Sequence, residues 1–291
     1  MLTERLVATD TAASIDRKEA ERLGLALIPL HIIWPDGKQD TDFTLTPGEL
    51  YLGMQKEGIP TTSEATLGDF LSFYQGLYGE GAKEIVSVHL TGLKSGTVAR
   101  AEEAALEMAE THPDLKISVL DTKAVSVAEL FVVLEAKKLI DKGYPLDKVG
   151  CDLSRLLPNI RLYAAIDSLT NLAKGGRISG AAALAGSVLQ VKPIIKITED
   201  GDLVISEKVR TRRKSWERMV EKLVKDAKEF GRLPKRVGII YTQNEEVGQE
   251  LLKAMQAVWE SWEIEWVGNY EAGTILGVHA GAGAGGIAAQ W

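Results

Sequence analysis

The chain has 291 residues, of which 45% are hydrophobic and 26% charged, as in ordinary globular proteins. Its net charge of −7 argues against binding to nucleic acid or to anionic membranes, since both favour basic surfaces. The single cysteine, Cys151, excludes an intrachain disulfide and a multi-cysteine zinc site, and we expect it to be a small buried side chain.

The first ten residues, MLTERLVATD, include Glu4 and Asp10 and no long apolar run, so we expect no secretory signal. No stretch of the chain reaches the roughly 20 apolar residues of a membrane-spanning helix. No cluster of metal ligands and no pair of carboxylates stands out. We therefore expect a cytoplasmic protein that uses no metal and no cofactor.

Strand-like and helix-like segments alternate through the first half. Four short apolar segments, rich in Val, Ile and Leu, are typical of strands buried on both faces. Between them, Thr46 and Glu49 form a predicted capping box with proline at the first helical position, and Thr66 and Asp69 open another helix. The alternation predicts a mainly parallel, Rossmann-like sheet with helices on both faces. The predicted strands are RLVATD (5–10), LALIPLHIIW (25–34), KEIVSVHL (83–90) and KISVLDT (116–122), and further helices follow Ser95 and Ser126.

The second half has a different pattern. The turn EDGD at 199–202 predicts a hairpin and therefore antiparallel pairing. We predict an α/β domain at 1–157 and an α+β domain with a mixed or antiparallel sheet at 158–291, with a ligand site in the cleft between them. The predicted strands are 161–168, 191–198, 202–209, 235–242 and 264–271, with long helices at about 211–230 and 245–258.

Polar turns follow several of the predicted strands. Residues 9–11 (TDT), 95–97 (SGT) and 121–123 (DTK) each come directly after a strand of the first half. Because ligands of such sheets bind beyond the carboxyl ends of the strands, we expect these turns to share one edge, joined by residues 61–63 (TTS). Hydroxyls and free N–H groups at helix N-termini suit an anion such as phosphate or carboxylate. The alternative is that each hydroxyl only caps its own helix.

Ser95 in particular has three possible roles: a nucleophile, part of a phosphate loop, or a helix cap. The hydrolase elbow G-x-S-x-G does not fit the local sequence GLKSG at 92–96, and the phosphate-loop motif G-x-x-x-x-G-K-[ST] is absent. A cap that also holds an anion is the interpretation that remains.

Among the four histidines, His279 has the most unusual setting. His31 and His89 lie within apolar strands and are expected to be structural, and His112 precedes a proline in a loop. His279 lies in the glycine- and alanine-rich segment 277–286, where small residues let the backbone approach another group closely. It is either a structural histidine or part of a ligand site.

Two segments carry positive charge at helix ends. The sequence KGGR at 174–177 predicts a helix C-terminus followed by an arginine, in a surface turn or directed into the cleft. The run RTRRK at 210–214 lies near a helix N-terminus, where the helix dipole disfavours positive charge. It is either a solvated helix face or a docking site for an acidic partner or a phosphate group.

Taken in order, these motifs resemble the DegV family of bacterial fatty-acid-binding proteins. That family has a TDST-like turn after its first strand, a TTSQPS-like turn, a strand followed by SGT, a KGGRI segment and a C-terminal GxHxGPGxxG. The matching segments cover essentially the whole chain and are 9–11, 61–63, 95–97, 174–178 and 277–281. The departures are Glu64-Ala65 for Gln-Pro, Ala282 for proline, Gly285 for a bulkier residue, and Ala12-Ala13-Ser14 in the first turn.

The resemblance implies a protein without catalytic residues that encloses one long-chain fatty acid, its tail in an apolar tunnel. It also implies a partner, a fatty acid kinase protein, which converts the bound acid to an acyl phosphate and docks at Arg210 and Arg212. The alternatives are an acyl hydrolase or transferase with Ser95 as nucleophile and His279 as base, and a phosphate- or sugar-binding protein. The implied fatty-acid-binding residues are Thr62, Ser63, Ser95, Gly96, Thr97, Arg177 and His279.

Overall fold

The computed structural model describes residues 4–167, 169–180, 191–259 and 263–291. Ser168, the last residue of the predicted strand 161–168, lies outside this part of the chain. The strands are β1 (Arg5–Asp10), β2 (Leu25–Ile28), β3 (His31–Ile33), β4 (Gln39–Thr41), β5 (Thr61–Ser63), β6 (Glu84–His89), β7 (Lys116–Asp121), β8 (Ile160–Ala165), β9 (Lys192–Ile197), β10 (Leu203–Val209), β11 (Arg236–Tyr241), β12 (Glu265–Glu271) and β13 (Gly285–Gln290). The helices are α1 (Arg17–Leu23), α2 (Pro47–Lys56), α3 (Leu67–Gly79), α4 (Thr97–Thr111), α5 (Ser126–Asp141), α6 (Leu146–Leu156), α7 (Leu169–Gly175), α8 (Arg212–Phe230), α9 (Glu245–Trp259) and α10 (Thr274–Ala280).

Two large sheets organise these elements. The first has the order β2-β1-β6-β7 and is parallel throughout. The second has the order β10-β9-β8-β13-β11-β12, in which only β11 and β12 pair in parallel. A third, small sheet has the order β4-β3-β5 and is antiparallel. A parallel sheet from the first half and a mixed sheet from the second confirm the predicted fold class.

Helix α5 lies between the two large sheets. Its Glu129 accepts a hydrogen bond from Thr9 of β1 at 3.5 Å. On the opposite side, a methyl group added to Gly238 of β11 would lie 2.5 Å from Val127 Cγ1 and 3.7 Å from Phe131 Cε1. A helix that is apolar on nearly all sides is stable only when it is buried, as α5 is. Even so, neither α5 nor any other described helix is long and apolar enough to cross a membrane.

Local sequence signals begin and end several elements as predicted. Thr46 and Glu49 exchange the two hydrogen bonds of a capping box, and Thr66 and Asp69 do the same. The hairpin between β9 and β10 turns at Gly201, whose φ of +95° strongly favours glycine, and the two strands pair antiparallel as predicted.

The prediction of a single strand over 25–34 is wrong. Strand β2 ends before Pro29, which has no N–H group to donate to a neighbouring strand. The next N–H group, that of Leu30, donates to the Thr11 hydroxyl at 3.3 Å. The chain then leaves the parallel sheet and continues as β3 in the small antiparallel sheet.

The prediction of a buried Cys151 is also wrong, because its side chain is exposed. Helix α6 buries Val149 and Leu153, which lie one turn apart on a single face. Cys151, halfway between them in sequence, therefore lies on the solvent side of the helix.

Candidate ligand-binding site

An apolar cavity of about 430 Å³ lies between the carboxyl end of the parallel sheet and the six-stranded sheet. Its walls come from both: Leu90 follows β6, whereas Leu162, Ile195 and Ile240 lie on β8, β9 and β11. The sequence places these apolar residues on different strands, and only the packing of the two sheets brings them together. The cavity is within the size range of small-molecule sites.

One end of this cavity is polar, and it contains most of the residues that the family resemblance implies. We refer to this end of the cavity as the polar end. The implied residues that line it are Thr62, Ser63, Ser95, Gly96, Arg177 and His279.

Thr62 and His279 form the central contact of the polar end. Thr62 lies on β5 opposite Ile32 of β3, so the small sheet sets its position. His279 lies on α10, and its Nε2 is 2.8 Å from Thr62 Oγ1. Asn171 of α7 donates to the carbonyl of Val278 at 2.8 Å, which anchors α10 next to this contact.

His279 is neutral near pH 7. Burial, followed by the positive charge of Arg177, lowers the pKa of His279 to about 4. Its second ring nitrogen, Nδ1, is buried and has no hydrogen-bond partner among the described residues. A neutral imidazole with one free ring position is therefore part of the polar end.

Gly175 makes room for this imidazole. A methyl group added to Gly175 would lie 2.4 Å from His279 Nδ1, a distance that real contacts of this kind do not show. Gly176 follows with a φ of +64° and ends α7, as the paired glycines predict. The contact between Gly175 and the ring is a second role that the sequence pattern does not reveal.

Arg177 ties the end of α7 to β5. Its guanidinium donates to the carbonyl oxygen of Gly175 at 2.9 Å and to that of Thr62 at 3.5 Å. It therefore brings positive charge next to the Thr62–His279 pair. Of the two roles that we considered for this arginine, the structure favours the one directed into the cleft.

Ser95 directly precedes Gly96, the N-cap residue of α4, and bonds to the first helical residue. Its Oγ accepts the N–H of Thr97 at 3.3 Å and lies 2.7 Å from the Thr97 hydroxyl. Thr97 itself is fully buried and does not line the cavity, in contrast to the other implied residues. Ser95 has no described hydrogen bond with His279, whose described bond is to Thr62.

Two charged residues of the polar end were not among the predicted site residues. Glu64 directly follows the TTS segment, and its side chain lines the cavity beside Ser95 and Gly96. Lys94 also lines the cavity and forms an ion pair with Asp202 of the β9–β10 hairpin. The only signal for Glu64 in the sequence is its departure from the family motif.

The other two polar turns have structural contacts instead. Asp10 accepts hydrogen bonds from Ala12 and Leu90 backbone N–H groups, at 2.9 and 3.1 Å. Asp121 accepts those of Gly92 and Lys123, at 3.2 and 2.7 Å. Neither turn lines the cavity. Of the four polar segments, those at 61–63 and 95–97 therefore contribute residues to the cavity, and these two do not.

The basic segment lies at the start of α8. Arg210 is exposed. Arg212 is partly buried and donates to Asp167 at 2.8 Å, and Lys192 donates to the same carboxylate, also at 2.8 Å. Of the two arginines implied in docking, Arg212 is thus held by an ion pair within the chain.

Two packed sheets enclose an apolar cavity, and one end of this cavity carries hydroxyl, imidazole and guanidinium groups. This arrangement defines an α/β ligand-binding architecture. A sequence family described as "Uncharacterised protein, DegV family" matches residues 6–290. Protein DegV of Bacillus subtilis is 30% identical over 286 residues, which is 97% of this chain and 97% of that protein. The chain belongs to the DegV family, and the predicted resemblance is confirmed.

Solved structures show the same fold. A DegV family protein from Thermus thermophilus, described for its fatty acid binding, is 28% identical with a TM-score of 0.85 over 99% of both chains. DegV from Bacillus subtilis, described as a fatty acid binding protein, is 29% identical with a TM-score of 0.83 over 99% of both chains. A stearic acid-binding protein from Eubacterium ventriosum, 23% identical, reaches a TM-score of 0.88 over 98% of this chain and 97% of its own.

Proposed function

We propose that this protein is a non-catalytic carrier that encloses one long-chain fatty acid, in the cytoplasm. The tail lies along the apolar walls, and the carboxylate lies at the polar end with Thr62, Ser95, Arg177 and His279. The observation that carries the proposal is the Thr62–His279 contact at the polar end of an apolar cavity. The solved relatives from Thermus thermophilus and Bacillus subtilis that are described as binding fatty acids support it.

Burial of the tail supplies most of the affinity. About 15 methylene groups, at roughly 0.8 kcal/mol each, contribute about 12 kcal/mol when they leave water. The loss of translational and rotational freedom on association offsets part of this energy. The remainder allows tight binding without a covalent bond, so the polar groups need only orient the head.

The ring nitrogen of His279 that carries the proton determines whether the Thr62 hydroxyl can donate a hydrogen bond to a ligand. A proton on the buried Nδ1 would have no described acceptor, which is costly, so we place the single proton of the neutral ring on Nε2. Nε2–H then donates to Thr62 Oγ1, and the hydroxyl proton of Thr62 is free to donate to a carboxylate. His279 in this arrangement is a positioning residue for Thr62.

The hydroxyl contacts of Ser95 favour a carrier over a hydrolase. A serine nucleophile needs its base within hydrogen-bond distance. In the structure, the hydroxyl of Ser95 is next to Thr97, and the described hydrogen bond of His279 is to Thr62. Ser95 then binds the carboxylate, while its bond to the Thr97 N–H keeps the hydroxyl at the start of α4.

Lipid extraction and a matched pair of variants test the carrier. Purified protein should release about one intact fatty acid per chain into organic solvent, as measured by mass spectrometry. Thr62→Val should bind the acid about 10- to 100-fold more weakly, because it loses one hydrogen bond to a charged group. Thr61→Val, an exposed neighbour on the same strand, should bind as wild type does. Turnover of acyl esters by lipid-free protein, or equal affinity of both variants, would contradict the proposal.

We also infer that the bound acid is presented to a fatty acid kinase for acyl-phosphate formation, with docking at the basic start of α8. Arg210→Glu is the cleaner test, because Arg212→Glu would also break the ion pair with Asp167. Arg210→Glu should spare fatty acid binding and lower acyl-phosphate formation at least tenfold. Lys228→Glu makes the same charge change at the exposed far end of α8 and should have no effect. Equal rates for the two variants would exclude this docking surface.

A further inference from the structure

Glu64 places a carboxyl group of the protein at the start of α4, where the polar end would hold the carboxylate of a ligand. A methyl group added to Gly96 would lie 2.9 Å from Glu64 Oε1 and 3.1 Å from its carboxyl carbon. The side chain thus packs against the residue that follows Ser95. It lines the same cavity as Thr62 and His279.

Within the described residues, Glu64 has no ion-pair partner, although two cations, Lys94 and Arg177, line the same cavity. The guanidinium of Arg177 donates to two carbonyl oxygens, and Lys94 is paired with Asp202. His279 is neutral near pH 7 because its pKa is lowered to about 4.

The charged residues in the first turns of α4 and α3 are also paired with others. Arg100 on α4 pairs with Glu103, and Asp69 on α3 binds His31 and Thr66. The polar end near neutral pH therefore has one cation without a carboxylate partner, Arg177, and one carboxylate without a cation, Glu64.

A second carboxylate changes this balance. If a fatty acid binds ionised beside Ser95, two carboxylates share one arginine in a partly desolvated site. Two carboxylates that lie next to each other in a partly desolvated site do not both remain ionised, because their repulsion favours a pair that shares one proton. A proton between the two oxygens also replaces repulsion with a short hydrogen bond to a charged group.

We propose that Glu64 makes the site take up one proton from solvent with each fatty acid that it binds. The head is then held as a pair of carboxyl groups with one proton between them. No bond other than this O–H is made or broken, and the solvent supplies the proton. A neutral head, such as that of a fatty alcohol, binds beside Glu64 without proton uptake. This inference rests on the proposed function, because it assigns a further determinant to the same site.

The test compares wild type with Glu64→Gln, which keeps the shape of the side chain and removes its charge. Oleate and oleyl alcohol are offered to lipid-free protein from phosphatidylcholine vesicles between pH 5 and 8.5. The ratio of the wild-type Kd to the Glu64→Gln Kd cancels the ionisation and partitioning of the ligand itself. For oleate this ratio should rise with pH, by up to about tenfold per unit and about 10- to 100-fold in total. For oleyl alcohol it should stay constant.

Two controls separate charge at the site from charge elsewhere. Glu110→Gln removes an exposed carboxylate at the other end of α4 and should leave the ratio near one at every pH. In a lightly buffered titration at pH 6, where the ratio should rise most steeply, wild type should take up more protons per bound oleate than Glu64→Gln, up to about one. Tight oleate binding with a ratio that does not change with pH would overturn this inference alone. No oleate binding by any variant at any pH would overturn the proposed function and this inference together.

Discussion

Two histidines of this protein, His89 inside the core and His279 beside the cavity, differ in their hydrogen bonding. His89 is fully buried, its Nδ1 is 3.0 Å from Asp10 Oδ2, and its Nε2 is 2.7 Å from Ser87 Oγ. Ser87 also accepts the hydroxyl of Tyr74 at 2.8 Å, which completes a buried network. His279 has one partner, Thr62, and its Nδ1 has none among the described residues.

The difference shows how the hydrogen bonding of a histidine inside the core contrasts with that of a histidine beside a cavity. Buried polar groups are almost always hydrogen-bonded, and both ring nitrogens of His89 follow that rule. The incomplete hydrogen bonding of His279 leaves a polar group available beside a cavity. Sequence patterns place His89 in an apolar strand and His279 among glycines, and these settings correspond to the two roles.

The largest effect on stability is expected from breaking the buried hydrogen-bond network of His89. His89→Ala removes partners from Asp10 and Ser87 and leaves a cavity, so it should lower the free energy of unfolding by about 3 kcal/mol. Urea denaturation measures this change. The folded variant should still bind fatty acid within about threefold of wild type. A loss of stability below about 1 kcal/mol would show that the network is not what holds this end of the parallel sheet.

The free energy of unfolding should depend on pH through His279, whose hydrogen bonding is incomplete. Because burial lowers the pKa of His279 in the folded state to about 4, the unfolded chain binds more protons between the ordinary value of about 6.5 and 4. The stabilising contribution of the neutral ring is complete above about pH 6.5 and is lost as the pH falls to 4. Wild type should lose up to about 3 kcal/mol more than His279→Gln between pH 7 and pH 4. If the free energy of unfolding changed with pH by the same amount in the two proteins, the neutral state of His279 would be refuted.

A smaller effect is expected from crowding the same ring. Gly175→Ala forces His279 away from the added methyl group and weakens its contact with Thr62, which should cost about 1–3 kcal/mol of stability. Fatty acid affinity should fall about tenfold, as measured by competition with a fluorescent fatty acid. Gly79→Ala, at the end of α3 with no atom within 4 Å of the added methyl group, should be neutral or slightly stabilising. Equal behaviour of the two variants would mean that the ring adapts freely.

Local signals predicted much of the fold. Capping boxes at Thr46 and Thr66, the hairpin at Gly201 and the apolar strands of the first half depend on neighbours in sequence. The structure has them, except that the predicted strand at 25–34 is two strands. The polar segments at 61–63 and 95–97 were also predicted to lie together, and Thr62, Ser63, Ser95 and Gly96 line one cavity. The division of the chain near residue 157 stays a prediction.

Contacts between distant residues could not be predicted in this way. The break at Pro29 redirects the chain into the small sheet, and only this pairing sets Thr62 opposite Ile32. The role of Gly175 depends on a residue more than a hundred positions later. Glu64 showed only as a departure from a motif, and its place against Gly96 required the chain after β5 to lie next to the start of α4.

Strand β13 has a consequence for the order in which the protein is made. It comes after every other described strand, yet it lies in the interior of the six-stranded sheet, between β8 and β11. Until this segment leaves the ribosome, β8 and β11 have no common neighbour, and the apolar side of α5 that faces the sheet has no finished surface to pack on. The cavity walls that β8 and β11 supply are therefore complete only after β13 has joined the sheet, so a chain still without this strand has no closed cavity.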